Sequence, residues 1–456
     1  MVEEDKLNLL ELGKKIVKKA SGLGVGEVEV YLSRSFGTHV EIERGQIIRS
    51  VKTVDEGFGV RVSYNKALGF SYTNLLDEEN IEKTVLRAFH VARTSQPNED
   101  WKGFPQPAKL PEVKNVYDHN VAEVSLEEVV DMASKMLDSA LKFDERVVVV
   151  EGSVGVGEAE KGLVNSNGVE FVDRGTWTGC FLGTIAKDGE NVTPVCFESE
   201  HKRTGKINQK KVGLEAAKYA VSALNAKSIE TGNYELVFGQ HALVELLYYT
   251  LVSALKADNV QRGKSKLKGK IGMKVASEKF TVYDDGLLEG GLSTWKFDDE
   301  GTVSQKTILF EKGILKSFLY DKYTADKDGV ESTGNAHREP SPSYMSTPRI
   351  EPTNLVISPG KNPPEKLLEE ITKGIYVPYV QGAHSSNPES GEFSVVATPA
   401  WMIKDGEKIH PLKGVMVAGN IYEILQNIVE IANNLRKLSY LVAPWVRVAN
   451  VKVVGR

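Results

Sequence analysis

Histidine is the side chain best suited to bind zinc or to transfer protons near neutral pH. The sequence contains eight histidines, and no two of them lie within ten residues of each other: His39, His90, His119, His201, His241, His337, His384 and His410. His241 and Glu245 are four residues apart in an expected helix, but such a pair is more often a surface hydrogen bond than a metal site. The spacing therefore contains no local zinc motif. Cys180 and Cys196 add neither a metal knuckle nor a disulfide framework.

Nucleophilic catalysis is a second chemistry to consider, because two histidines, His337 and His384, lie in polar loops. The hydroxyl side chains near them are Ser332, Thr333, Ser341, Ser385 and Ser386. A serine and a histidine in contact could make the chain an autonomous hydrolase. Serines in such loops are more often turn formers, and the sequence contains no Gly-x-Ser-x-Gly elbow. For these reasons the autonomous hydrolase is an alternative interpretation and not the favoured one.

Length and composition limit the class of protein. The 456 residues are too many for one compact core and predict two or three domains. A content of 41% hydrophobic and 26% charged residues is typical of a folded globular protein. With 57 basic and 62 acidic residues the net charge is −5, which gives no general attraction for nucleic acid. The acidic N-terminus and the absence of long apolar runs predict a cytoplasmic protein without membrane spans.

The first half of the sequence predicts helices that flank two strand meanders. A helix is expected over residues 5–20, followed by strands with turns at 44–46, 55–57 and 65–66. Asp77 is the expected N-cap of the next helix, and Ser125 with Glu128 forms a capping-box signature for another. A second strand-rich segment covers residues 147–198, and a helix near 210–226 closes this half. This order of elements predicts an α+β fold rather than a doubly wound sheet.

The second half is expected to be dominated by antiparallel strands with a few helices. We expect a strand over residues 234–238, and helices over 240–257, 364–372 and 419–434. Residues 334–352 contain four prolines and should be irregular. We therefore predict an N-terminal α+β domain over 1–230, with antiparallel meanders and flanking helices, and a C-terminal strand-rich domain over 231–456.

Several segments resemble the TldD/PmbA family. The most specific are residues 263–277 (GKSKLKGKIGMKVAS) with 280–286 (FTVYDDG), and residues 414–420 (GVMVAGN) leading into the last expected helix. Further matches in the same order are 57–62 (GFGVRV), 164–168 (VNSNG), 332–335 (STGN), Pro348-Arg349, Asn354 and 390–394 (SGEFS). The resemblance covers nearly the whole chain.

The resemblance implies a two-branch system in which TldD is a zinc metallopeptidase and TldE, or PmbA, pairs with it. The catalytic branch carries His-Glu-x-x-x-His on the helix before the central signature and a cysteine near the C-terminus. In register with that motif, this sequence has Tyr248 and Ser253 at the histidine positions and Tyr249 at the glutamate. Residues 438–444 (LSYLVAP) stand where the cysteine segment is expected.

None of these three residues is suited to the original chemistry. A neutral phenol or hydroxyl is a poor zinc ligand, and Tyr249 lacks the carboxylate that would accept a proton from zinc-bound water. The apolar residues of this helix predict that it packs in a core: Leu243, Leu246, Leu247, Thr250, Leu251, Ala254 and Leu255. We predict no catalytic residue, metal ligand or cofactor in this chain. Tyr248, Tyr249, Asn335, His337 and His384 are the candidates for contact with a peptide or partner.

The resemblance favours a TldE/PmbA-like subunit without its own zinc, in a complex that hydrolyses unfolded or modified peptides. The expected partners are a TldD-like catalytic homologue and a peptide substrate. Two alternatives remain open. One is a peptide-binding homodimer without peptidase activity, and the other is the hydrolase that uses the loop histidines.

Overall fold

The computed structural model describes residues 8–339 and 342–455. Residues 1–7, where the first predicted helix was expected to begin, lie outside this part of the chain, as does Ser341. The helices are α1 (Leu9–Gly22), α2 (Glu78–Thr94), α3 (His119–Ala122), α4 (Leu126–Leu141), α5 (Gln209–Ser222), α6 (Gln240–Leu247), α7 (Ser253–Leu255), α8 (Ala257–Gln261), α9 (Lys322–Asp328), α10 (Pro364–Glu369) and α11 (Ile421–Gln426). A π-helical turn, Tyr248–Val252, joins α6 to α7.

The first sheet is entirely antiparallel, with the order β3-β2-β1-β4-β5-β6 and with β7 paired to β5. Its strands are β1 (Glu27–Glu43), β2 (Gln46–Tyr64), β3 (Ala67–Thr73), β4 (Val147–Asn165), β5 (Glu170–Asp188), β6 (Asn191–Val192) and β7 (Cys196–Lys202). The four longest strands are long enough to carry two helix pairs side by side. Helices α1 and α2 pack in one apolar cluster with β1 and β2, and α4 and α5 in another with β4 and β5.

Several predicted helix starts are confirmed. The side chain of Asp77 accepts a hydrogen bond from Asn80 N at the start of α2, and the Ser125–Glu128 capping box forms at the start of α4. These starts were visible in the sequence because the capping side chains bond to backbone groups only a few residues away.

The predicted turn at residues 55–57 is wrong, because β2 runs through it without interruption. The acidic side chains that suggested a turn have partners in the folded chain. Arg34 on β1 pairs with Glu56 at 3.0 Å, and the Tyr344 hydroxyl donates to Asp55 at 3.0 Å. Charged residues that would interrupt an isolated strand are thus stabilised by cross-strand and long-range contacts.

The second half builds two further sheets, of six and nine strands, that enclose a common core. Their orders are β11-β10-β9-β14-β23-β22 and β16-β17-β20-β24-β8-β15-β18-β19, with β21 paired to β24. Most pairs are antiparallel, and β14–β23 and β8–β15 are parallel. The strands are β8 (Gly232–Phe238), β9 (Val282–Asp285), β10 (Lys306–Glu311), β11 (Ile314–Leu315), β12 (Ala336–His337), β13 (Arg349–Ile350), β14 (Leu355–Ile357), β15 (Lys373–Val377), β16 (Val380–Gln381), β17 (Glu392–Ala397), β18 (Ala400–Lys404), β19 (Glu407–Leu412), β20 (Met416–Asn420), β21 (Ile428–Ile431), β22 (Arg436–Leu438), β23 (Leu441–Ala443) and β24 (Val446–Val454).

The predicted helix over residues 419–434 is wrong. Asn420 caps a short helix, α11, that ends at Gln426, and β21 then pairs with β24. The residues of β21 are mostly β-branched, and Ile428 and Ile431 are buried in the core between the sheets. The run of apolar residues was read as a helix face, although β-branched residues also suit a half-buried strand.

The predicted α+β class is confirmed, and the two halves of the chain meet closely. Strands β1–β7 all precede residue 203, and β8 begins at Gly232. One buried cluster joins Ala220 of α5 with Tyr376 and Trp401, and another joins Tyr31 of β1 with Phe297 and Tyr344. The division into domains at residue 230 stays a prediction.

Candidate functional site

The segment that corresponds to the metal-binding helix of the family passes through the core of the second half. We call residues 240–255, which form α6, the π turn and α7, the central helix. Its leucines are buried between the two C-terminal sheets, as the sequence predicted: Leu243, Leu246, Leu247, Leu251 and Leu255. Thr250 is fully buried, and its hydroxyl donates to the Leu246 carbonyl at 2.6 Å.

The π turn covers two of the three positions of the predicted degenerate site, and the third position follows it. Tyr248 begins the turn and Ser253 follows it directly. In a regular α-helix, residues five apart point about 140° away from each other, because each residue advances by about 100°. A turn with i→i+5 hydrogen bonds brings such residues towards one face, and π turns are frequent at functional sites.

The side chains at these positions do not fit zinc. Burial, and secondarily Glu351, raises the pKa of Tyr248, so its phenol stays neutral. The Tyr248 ring lies edge-on to Tyr249, with 5.2 Å between ring centroids, and 5.3 Å from the Tyr440 ring. The Ser253 hydroxyl accepts a hydrogen bond from Asn259 at 3.1 Å. Within residues 8–339 and 342–455, no three His, Cys, Asp or Glu side chains are placed to hold a metal ion together.

A cavity of about 570 Å³ lies between the central helix and the first sheet. One face of the helix lines it through Val244, Glu245, Tyr248 and Tyr249, which are spaced for a single helical surface. The opposite wall includes alternate residues of β1: Tyr31, Ser33 and Ser35. Residues from both halves of the chain thus build the cavity, and we call it the tyrosine cavity.

Buried charges form the deep wall of the tyrosine cavity. Lys161 on β4 donates to Asp299 at 2.7 Å and to the Phe297 carbonyl at 2.8 Å. Burial alone would raise the pKa of Asp299, but the Lys161 ammonium and His337 outweigh it and hold that pKa below its usual value. Arg338 pairs with Glu29 of β1 at 3.1 Å, and both side chains are fully buried. These pairs attach the C-terminal loops to the first sheet.

His337 lines the tyrosine cavity as a neutral ring. Burial lowers its pKa to about 4, although the Asp299 carboxylate acts in the opposite direction. Its Nε2 lies 3.2 Å from the hydroxyl of Thr353, a buried residue. No described contact joins His337 to a serine, and Ser341 lies outside the described residues.

The other two predicted contact residues lie outside the tyrosine cavity. Asn335 is fully buried: its amide donates to Asp284 at 2.8 Å and to the Glu351 carbonyl at 3.0 Å. It supports the loop rather than the cavity surface. His384 is exposed, with its ring centroid 6.4 Å from that of Tyr249. Among the described contacts, the neighbouring Ser385 hydroxyl donates to the Gly382 carbonyl and not to His384.

Several lining residues were not found from the sequence. Glu351 accepts from Lys256 at 2.6 Å and lies 3.2 Å from Arg349, and Lys161 and Trp295 come from distant segments. No local motif connects these residues. Only the packing of the two halves of the chain brings β4 next to the loop that carries Trp295, whose ring centroid lies 5.0 Å from the Lys161 ammonium. Only Tyr248, Tyr249 and His337 could be named in advance.

The described part of the chain contains no helix that is long and apolar enough to cross a membrane. The predicted cytoplasmic location stays a prediction.

Family models match three successive segments of the chain. They describe PmbA/TldA metallopeptidase domain 1 over residues 28–92, the central domain over 119–224 and the C-terminal domain over 231–455. The chain is also 33% identical to an uncharacterised protein of Methanocaldococcus jannaschii, over 95% of this chain and 97% of that protein. The chain belongs to the PmbA/TldD metallopeptidase family.

A TldE structure and a PmbA relative support the TldE/PmbA-like branch of this family. The crystal structure of TldE from Thermococcus kodakarensis superposes with a TM-score of 0.91 at 29% identity, covering 97% of this chain and 100% of that one. The metalloprotease PmbA of Escherichia coli O157:H7 is 24% identical, over 100% of this chain and 98% of that protein. The branch predicted from the motifs is thus confirmed.

Proposed function

We propose that this chain is a non-catalytic TldE/PmbA-like subunit that assembles with a TldD-like catalytic homologue, which supplies the zinc site. One observation carries the proposal. The central helix has a π turn at the motif positions, but it presents two phenols and a hydroxyl in place of two imidazoles and a carboxylate. Zinc ligands and a proton acceptor are the parts that hydrolysis requires, and none of these three residues provides one.

The subunit contributes a binding surface for an unfolded peptide. The tyrosine cavity combines aromatic rings on one wall with charged and hydroxyl side chains on the other. Aromatic rings bind side chains of many kinds, and polar walls can bond to a peptide backbone. At about 570 Å³ the cavity has room for a few residues of an extended chain but not for a folded domain. This size supports a role in guiding unfolded substrate.

The two alternatives differ from the proposal in measurable ways. A peptide-binding homodimer would use the same cavity but would recover no zinc-containing homologue during purification. An autonomous hydrolase requires a serine activated by histidine, whereas His337 contacts Thr353 and His384 lies on the surface. The geometry of the described residues favours neither alternative over the subunit.

The test is a reconstitution with the TldD-like homologue from the same organism. This chain alone should not cleave a fluorescently labelled unfolded peptide, and an equimolar mixture with the homologue should cleave it. Replacing the motif histidines of the homologue should abolish that activity. Equal cleavage by this chain alone would contradict the proposal, and so would a homologue whose activity is unaffected by this chain.

A further inference from the structure

A second and larger cavity, of about 1020 Å³, lies at the start of the central helix. It shares no lining residue with the tyrosine cavity. Helix α5 and strand β7 of the first half form one wall, and the start of the central helix with residues 434–437 forms the other. We call it the α6 cavity. The proposed subunit function assigns it no role.

Aromatic side chains form the apolar part of the α6 cavity. Tyr376 and Trp445 are packed with 4.5 Å between ring centroids, and Tyr219 lies edge-on to Tyr379 at 6.4 Å. The His241 ring stacks on Tyr379 at 4.8 Å. This group of rings is suited to a flat apolar ligand.

The lining of the α6 cavity carries five cations and four carboxylates, an excess of one positive charge. Its carboxylates Glu198 and Glu200 are paired within the wall, with Arg436 and Lys202. Three further cations of the wall form no salt bridge within the described residues: Arg203, Lys211 and Lys437. Glu215 is paired with Lys218, at 2.9 Å, and Glu289 accepts from the Asn115 amide. The cavity is therefore suited to a negatively charged ligand.

The N-terminus of the central helix opens into the same cavity. Gly239 is the N-cap, and no side chain caps the first turn, in which the Ala242 N–H donates to the Pro378 carbonyl at 2.9 Å. A Cβ at Gly239 would lie 2.9 Å from Pro378 Cα, so a capping serine, aspartate or asparagine does not fit. The first N–H groups of a helix carry partial positive charge and bind anions.

An independent observation concerns His241, the second residue of α6. Its Nε2 is buried and has no hydrogen-bond partner. Burial first, and then Arg436 and His201, lowers its pKa to about 3, so the ring is neutral. A buried polar atom without a partner is unusual in native proteins. A ligand with a hydrogen-bonding group at the base of the cavity would give His241 Nε2 a hydrogen-bond partner.

We propose that the α6 cavity binds an organic carboxylate that carries an aromatic ring. The carboxylate lies at the helix N-terminus, near the cations of the wall that form no salt bridge. The ring packs against Tyr219, Tyr379 and Trp445. Such a ligand is either a small aromatic acid or the C-terminal residue of a peptide, since both present the same two groups. The volume of about 1020 Å³ accommodates either source.

Titration calorimetry on the full chain tests this binding site. Three probes are compared. N-acetylphenylalanine carries both the ring and the carboxylate, its amide carries only the ring, and acetate carries only the carboxylate. We expect the acid to bind roughly tenfold more tightly than either of the others, because both parts contribute. A pentapeptide that ends in phenylalanine, with a free or an amidated C-terminus, distinguishes the two sources. If the peptide with a free C-terminus binds and N-acetylphenylalanine does not, the site is assigned to peptide ends. If N-acetylphenylalanine binds as tightly as that peptide, the site is assigned to small acids. Equal binding of all probes, or no binding of the acids and the free peptide, overturns the proposal.

A pair of charge reversals locates the binding site. Lys211→Glu should weaken binding of the acid roughly fivefold or more, because it places a negative charge on the cavity wall. Lys210→Glu is the matched control, since Lys210 is exposed in the same helical turn and does not line the cavity. Both lysines are exposed, so neither change should affect folding. Equal effects of the two changes would overturn the assignment to this cavity.

Discussion

The Lys161 ammonium lies 2.7 Å from the Asp299 carboxylate, although the two residues are 138 positions apart in the chain. Lys161 belongs to β4 of the first sheet, and Asp299 lies on a loop of the second half. Both side chains are at most 10% exposed. This buried pair therefore joins the two halves of the chain at the wall of the tyrosine cavity.

Lys161→Met should destabilise the protein by about 3–5 kcal/mol, because it leaves the Asp299 carboxylate buried without its counter-ion. Urea unfolding followed by circular dichroism measures the change. The double variant Lys161→Met with Asp299→Leu should recover part of the loss, since it removes both charges together.

An exposed ion pair provides the matched control for this substitution. Lys14 and Glu170 lie 2.8 Å apart, with side chains that are 37% and 48% exposed. Lys14→Met should change the stability far less than Lys161→Met does, because surface pairs are screened by water. Equal effects at Lys14 and Lys161 would show that the buried pair does not fasten the two halves.

His337 should make the folded state sensitive to acid. Its pKa in the folded chain is about 4, below the unfolded value near 6.5. As the pH falls from 6.5 to 4 the unfolded chain therefore takes up the proton first, and protonation favours unfolding. Each pKa unit corresponds to about 1.4 kcal/mol, so this histidine should account for a loss of about 3 kcal/mol across that window.

The variant His337→Gln tests the acid sensitivity. Other buried groups also titrate in this range, so the relevant quantity is the difference between variant and wild type. Relative to wild type, the variant should gain stability as the pH falls from 6.5 to 4, in urea unfolding at a series of pH values. His90→Gln is the control, because His90 is exposed on α2. A constant difference between His337→Gln and wild type would refute the buried neutral ring.

Thr250→Val should destabilise the protein by about 1–2 kcal/mol, since it removes a buried hydrogen bond at nearly constant volume. The bond joins the Thr250 hydroxyl, in the π turn, to the Leu246 carbonyl of α6. Thermal unfolding measures the effect. Thr53→Val is the matched control, because Thr53 is exposed and its contact with the Gly37 carbonyl is long, at 3.4 Å. If both changes are neutral, the threonine does not stabilise the turn.

Tyr248→Phe and Tyr249→Phe should leave the peptidase activity of the reconstituted complex within about twofold of wild type, because neither phenol binds metal or transfers a proton in this account. The measurement is kcat/KM of the mixture with the TldD-like homologue. The two rings are packed edge to face, so phenylalanine preserves their shape. A loss of about a hundredfold, the range of a lost general acid or base, would place a phenol in the chemistry instead.

The sequence predicted the parts of the fold that depend on local contacts. The starts of α2 and α4 could be read directly, because Asp77 and Ser125 bond to N–H groups three residues away. The turn at residues 55–57 was wrong because Arg34 and Tyr344, which hold the acidic residues in a strand, are distant in sequence. The π turn was also missed, since its hydrogen-bond pattern leaves no signature in residue types.

In the candidate site too, the sequence identified residues that belong to local motifs and missed those that only long-range packing brings together. Tyr248 and Tyr249 were found because a family motif fixes their register, and His337 was found as a polar loop histidine. Lys161 and Trp295 carry no motif and line the tyrosine cavity only because the two halves of the chain pack together. Asn335 matched a family segment, yet it is buried with its amide bonded to Asp284.

In the proposed complex, the zinc site belongs to the TldD-like homologue and not to this chain. The most direct measurement is the metal content of the chain, purified alone after exposure to excess zinc and desalting, alongside its TldD-like homologue treated in the same way. We predict a zinc content far below one ion per chain for this protein and about one per chain for the homologue, because in the proposed complex the homologue supplies the zinc ligands. One tightly held zinc in this chain, lost when Tyr248 or Ser253 is changed to alanine, would contradict the account.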